Sequence, residues 1–218
     1  MKTFILLSIC SVVFTTSVAS FELDESQNLT KVEEAFIKYE IDTRLFQLPQ
    51  NKLIVHYGND KVNLGTELKP KDINGTPTVV YDADPEAYYT LTMFDIDAPS
   101  RKKHFFGDFV NWMVVNIPGS KLHKGETLFE YIPVWPHKDT GIHRIVFLLF
   151  KQHHNQIFNE EYVPRKFMNF QKRIGFSLVK FSWKYNLGRP IAGNFFQIQH
   201  DESYINELFR HHPHHRQH

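Results

Sequence analysis

Asp95-Ile96-Asp97-Ala98-Pro99-Ser100-Arg101 closes a strand-forming run and opens a turn. Just before it, Tyr89, Leu91 and Met93 alternate with Thr90, Thr92 and Phe94. Successive side chains of a strand point to opposite faces, so the odd positions share one face. That face is apolar until its last member, Asp95, which predicts a carboxylate at the edge of a core-facing row. The same alternation puts Asp97 on the side of Asp95, and Pro99 then turns the chain. Two close carboxylates need a cationic partner, because like charges raise one pKa. Arg101, folding back, can supply it, and so can a histidine donor. At this point two readings stand: a ligand-holding pair, or an aspartate-rich turn braced by its own arginine.

A second polar stretch, Pro136-His137-Lys138-Asp139-Thr140-Gly141-Ile142-His143-Arg144, leads into the apolar run Ile145 to Phe150. His143 falls where a loop meets a strand. An aspartate partner there fixes the imidazole tautomer and leaves the other ring nitrogen for a ligand. Without one, His143 is ordinary structure.

Outward from these stretches, strands are predicted at Leu53 to Tyr57, Thr78 to Tyr81, Tyr88 to Asp95, Trp112 to Asn116, His143 to Phe150 and Asn194 to Gln199. Thr30-Lys31-Val32-Glu33 has the form of a capping box, and Val32, Ala35, Phe36 and Tyr39 then share a helical face. A second helix is expected with Val163, Phe167, Phe170 and Ile174 on one side. A third starts at Ser177, carries Leu178, Phe181 and Tyr185, and stops at Gly188 before Pro190. A last one follows Asp201, with Tyr204, Ile205, Leu208 and Phe209. With no internal repeat, the expected fold is one α+β domain dominated by its sheet, over residues 21–210.

The ends read differently. Lys2, the apolar run Phe4 to Phe14 and the small residues Ser17-Val18-Ala19-Ser20 have the layout of a secretory signal peptide over residues 1–20. A secreted, extracellular protein is expected. Cys10, the single cysteine, lies inside that segment, so the mature chain has no thiol. Disulfides, cysteine-ligated metal and thiol catalysis are excluded for it. Removing Lys2 leaves basic and acidic residues equal in number, which gives no footprint for nucleic acid. Asn28-Leu29-Thr30 and Asn74-Gly75-Thr76 are glycosylation sequons. His211 to His218 forms a histidine-rich tail, read as solvated.

No G-x-G-x-x-G, P-loop, G-x-S-x-G or H-E-x-x-H string occurs. Asp95 to Arg101 and Gly141-Ile142-His143-Arg144, taken in order, resemble the two signatures of the phosphatidylethanolamine-binding protein family. The first reads D-P-D-A-P-S-R there and differs only by Ile96; the second reads G-x-H-R. Between them, Trp112 to Gly119 resembles the family's hydrophobic strand and turn, and Glu130-Tyr131 its following pair. The resemblance runs from about Glu33 to Arg210. It implies a large antiparallel sheet packed on a smaller one, with peripheral helices. It also implies a small anion pocket at one end of the sheet that holds phosphate-type groups, and no cofactor.

Carried over position by position, the pocket consists of Asp95, Asp97 and His143, with Asn111 where the family has a second histidine. Phe109 and Phe106 align with an aromatic and a tyrosine ahead of it. Trp135-Pro136-His137 aligns with a Gly-Pro-Pro rim, and Ile145 with a tyrosine. Asn111 donates a hydrogen bond but carries no charge, and Phe106 and Ile145 lack hydroxyls. Trp135 adds bulk at the mouth, and His137 is a candidate replacement for the lost imidazole.

The resemblance implies a monomeric, non-enzymatic binding protein for a phospholipid headgroup or another small anionic or hydrophobic ligand. The alternative is a protease inhibitor or signalling modulator that acts through the loop Trp135 to Thr140. A divalent metal on Asp95, Asp97 and His143 is a third, weaker reading.

Overall fold

The computed structural model describes residues 29–73, 75–103 and 108–202. The proposed signal peptide, Asn28, Asn74, Phe106, the helix after Asp201 and the histidine-rich tail lie outside the described residues.

The chain opens on α1 (Lys31–Lys38). Its capping box forms in both directions: Glu33 N–H donates to Thr30 Oγ1 at 3.2 Å, and Thr30 N–H donates to Glu33 Oε2 at 2.8 Å. Each bond satisfies an amide that a helix start otherwise leaves unpaired. The apolar face then buries Val32 and Phe36. Ten strands follow, interrupted by 3₁₀ turns and a second helix. They are β1 (Asn51–Lys52), β2 (Ile54–Tyr57), β3 (Asp60–Val62), β4 (Thr66–Glu67), β5 (Thr78–Val80), β6 (Tyr88–Asp95), β7 (Phe109–Pro118), β8 (Glu126–Phe129), β9 (His143–Gln152) and β10 (Ala192–Ile198). Between β9 and β10 lies α2 (Leu178–Lys184), capped by the Ser177 hydroxyl as its sequence predicts.

The large sheet has the order β1-β10-β9-β6-β7-β8, with β4 also on β10. Its central pairs are antiparallel, as expected, but β1 and β4 both join β10 in parallel, so the sheet is mixed. The smaller sheet, β3-β2-β5, is antiparallel. The large sheet is covered on both faces. Along β9, Ile145, Phe147 and Leu149 face the core shared with the small sheet. Val146, Leu148 and Phe150 face the core shared with α1 and α2. That is why β9 reads as an unbroken apolar run rather than an alternating one.

The helix expected around Val163 to Ile174 is a 3₁₀ segment, Phe167–Arg173, and Val163 instead bridges to Phe129. The reason is a buried cation. Arg173 is 1% exposed and donates to the carbonyls of Val110, Asn111, Val163 and Pro164. Burial pushes its pKa down to about 10. Wrapping the chain around that guanidinium is incompatible with a regular α-helix carrying the same residues.

Gly193, in β10, shows how tightly α1 and the sheet meet. A Cβ there would lie 2.6 Å from Pro49 Cγ and 3.0 Å from Phe36 Cζ. Gly193→Ala is expected to cost about 1–3 kcal/mol by overpacking, read as a lower midpoint in urea unfolding.

Candidate functional site

β6 and β9 are antiparallel neighbours with Asp95 opposite Ile145. His143 is therefore the diagonal neighbour of Asp95 on the same face, within reach of a carboxylate and an imidazole. Their contact is short: His143 Nδ1 to Asp95 Oδ2 is 2.7 Å. Both residues are buried. The other Asp95 oxygen accepts the Asp97 N–H at 2.9 Å and so shapes the turn that follows. Within that turn the Ala98–Pro99 peptide is cis.

Asp97 goes elsewhere. Its carboxylate takes three donors of Arg144: the backbone N–H at 2.9 Å, Nε at 2.7 Å and Nη2 at 2.6 Å. Arg144 Nη1 reaches on to the carbonyls of Tyr39 and Glu40, at the C-terminal end of α1. A cation suits those carbonyls, which carry the negative end of the helix dipole. Arg144 thus fills the bracing place expected of Arg101, which pairs with Glu40 at 2.6 Å. Both oxygens of Asp97 are committed to this fork. The three-ligand set envisaged for a metal is not assembled, and no group of three such side chains able to hold one occurs among the described residues.

The second ring nitrogen of His143 lies 2.9 Å from Thr140 Oγ1, and that hydroxyl donates to the His137 carbonyl at 2.7 Å. Proton counting follows from this chain of contacts. The one hydroxyl proton is used on His137, so Thr140 must accept from Nε2–H. A carboxylate accepts from Nδ1–H. These contacts suit a doubly protonated, positive imidazole. The charges agree. Burial opposes the cation, but the hydrogen bond His143 donates to Asp95 and the charges of Asp95 and Asp97 outweigh it, holding the His143 pKa above its ordinary 6.5. Asp108 is a third buried carboxylate; burial raises its pKa, with Arg44, 2.5 Å away, working against the rise. Each aspartate therefore has its own cation: Arg144 for Asp97, Arg44 for Asp108 and His143 for Asp95.

Phe109 pairs with Asp95 across β6 and β7, and its ring packs on Phe170 with centroids 4.6 Å apart. Two residues on, at the bulge in β7, Asn111 donates to the Ile132 carbonyl at 3.4 Å. Its Oδ1 is buried without a hydrogen-bond partner. Pro136 is buried and offers its carbonyl to His200 at 3.2 Å. Trp135 is 46% exposed. The His137 side chain is exposed and enters the cluster through its carbonyl, not through the imidazole substitution expected of it. Ile145 is fully buried in the inter-sheet core. Sequence reasoning missed Thr140. A hydroxyl three residues before His143 in a glycine-ended loop is the signal that could have found it.

A cleft of about 350 Å³ opens elsewhere, between α2 and residues 45–47, with Phe46, Leu148, Phe150 and Trp183 in its walls. It contains none of the predicted site residues and no charged side chain. Titratable chemistry lies with Asp95 and His143.

The chain has relatives among known proteins. The sequence model described as Phosphatidylethanolamine-binding protein matches residues 49–196. The chain is 31% identical over 189 residues to "Putative odorant-binding protein A5" of Drosophila melanogaster, covering 86% of this chain and 87% of that one. It is 36% identical over 152 residues to the 26 kDa secreted antigen of Toxocara canis, covering 69% of this chain and 57% of the antigen. Among solved structures, the phosphatidylethanolamine-binding protein from Plasmodium vivax superposes with a TM-score of 0.62 at 22% identity, covering 77% of this chain and 97% of that one.

Proposed function

The chain belongs to the phosphatidylethanolamine-binding protein family, and on that premise we propose that it is a secreted, non-enzymatic protein that binds a small anionic ligand at His143. The ligand class is a phosphate-type group, as in a phospholipid headgroup. The observation that carries the reading is the Asp95–His143 pair. A buried carboxylate 2.7 Å from Nδ1 holds the ring charged and in register, and Nε2–H points away from it as a charge-assisted donor. Asn111 adds an acceptor, since its buried Oδ1 has no partner. That suits a ligand with a donor group beside its phosphate, such as an ethanolamine ammonium. Secretion is favoured by the signal-peptide pattern and by the name of the nematode relative, a secreted antigen.

Thermal unfolding of the purified protein with millimolar phosphoethanolamine tests this, because a ligand that binds only the folded state raises its stability. An upward shift in melting temperature is expected. Asn111→His, which restores a second cationic donor, is expected to enlarge it by adding on the order of 1 kcal/mol of anion affinity. No shift in either protein overturns the reading and moves attention to a protein partner at the exposed Trp135 loop.

A further inference from the structure

The described residues of the proposed site are shut away from solvent: Asp95, Asn111 and His143 are 6%, 2% and 3% exposed. With Nδ1 held by Asp95, the ring nitrogen left for a ligand is His143 Nε2. What faces that nitrogen is the Thr140 oxygen, at 2.9 Å, the distance an anionic oxygen would take. Because the Thr140 proton is used on His137, the hydroxyl presents lone pairs to the imidazolium, as a ligand oxygen would.

We infer that Thr140 is a displaceable latch on the anion site: its hydroxyl stands in for the ligand oxygen on His143, and binding requires the 137–142 loop to swing it away. The inference rests on the anion-binding reading above.

The loop lies at the surface. Thr140 lies between Asp139 and Gly141, both at positive φ (66° and 82°), and a Cβ on Gly141 would meet nothing within 4 Å. His137, Lys138, Asp139, Gly141 and Ile142 are exposed. The backbone bond that closes the turn, Thr140 N–H to the His137 carbonyl, is long at 3.3 Å. Lys138 ties the loop to Glu202 through a surface ion pair of a kind that contributes little. The exchange also selects. A neutral hydroxyl gives way to a full negative charge, which strengthens the bond from Nε2–H, whereas an uncharged ligand gains nothing by displacing it. When His143 loses its proton, Nε2 becomes an acceptor. Thr140 must then turn its proton from His137 to the ring, which closes the latch just as the anion loses its donor. Among the described residues, the Asp95 carboxylate and the Thr140 hydroxyl contact the ring, and the Asp97 charge acts on it from farther off.

The test compares the purified protein with Thr140→Ala and Thr140→Ser. Calorimetric titration with inorganic phosphate gives the affinity. NMR titration of the His143 ring without phosphate gives its pKa, the signal being assigned among the 13 histidines by its loss in His143→Gln. Removing the competing oxygen is expected to tighten phosphate about three- to tenfold and to lower the His143 pKa. Thr140→Ser, which keeps the hydroxyl, is expected to return both readings towards the native ones. Where the native protein binds phosphate, binding no tighter by Thr140→Ala overturns the latch, and weaker binding would also make Thr140 a donor to the ligand. A His143 pKa that does not move overturns it whether or not phosphate binds. A fall in pKa with no phosphate binding by any form supports the capping contact and counts against the anion-site reading alone.

Discussion

Arg144→Ala is expected to cost the fold about 3–5 kcal/mol, the usual consequence of removing one partner from a buried ion pair. Asp97 is fully buried, and its two oxygens take their side-chain donors from this one guanidinium. Without it, what remains to Asp97 among the described residues is the bond from the backbone N–H at position 144. The carbonyls of Tyr39 and Glu40 lose their cation as well, loosening α1 from the strand end. For a domain of this size the melting temperature should fall by on the order of 10 °C. The interaction is separable from generic core damage by a double variant. Asp97→Ala with Arg144→Ala removes both charges and should be clearly more stable than the sum of the two single losses, because no orphaned charge remains. Additive losses in urea unfolding would show that the pair is not the source of the effect.

Asp95→Asn is expected to change the stability of the protein and also the direction in which pH acts on it. In the native protein His143 has a folded pKa above 6.5, so it binds its proton more tightly folded than unfolded. Its contribution is fully present below about pH 6.5 and is lost as pH rises through the folded value. Asparagine removes the carboxylate charge and leaves burial as the main influence on a ring that is 3% exposed. Burial disfavours the cation, so the folded pKa should drop towards or below 6.5, and the loss on raising pH should disappear. The gap between native and variant is therefore expected to be largest near pH 6, at about 2–3 kcal/mol, the range for a hydrogen bond to a charged group, and to shrink towards pH 9. Asp108 does not cancel fully in the difference, because the Asp95 charge is one cause of its raised carboxyl pKa and Asp95→Asn removes that charge. Urea unfolding of both proteins across that range checks it; a gap that is flat with pH would mean that His143 is not the proton-binding partner of Asp95. Phosphoethanolamine binding should weaken in parallel, since the donor on Nε2 loses its charge.

The sequence by itself determined whatever depends on neighbours along the chain. The alternation from Tyr89 to Asp95 settled which face Asp95 occupies, because strand periodicity is a property of the backbone. Thr30 with Glu33, and Ser177 before Leu178, marked helix starts because capping is closed within four residues. The ordered motifs at Asp95–Arg101 and Gly141–Arg144 identified the family. What only the tertiary structure decided is who partners whom across the chain. Asp97 and Arg101 are four residues apart, yet Asp97 is held by an arginine 47 positions away and Arg101 by Glu40, 61 positions away. The parallel joining of β1 and β4 to β10, and the 3₁₀ wrap around Arg173, are equally long-range. Thr140 belongs to both levels: it lies three residues from His143, but its meaning depends on Asp95 already holding the far side of the ring. Charge seeks whichever partner burial leaves within reach, and spacing along the chain does not reveal which one that is.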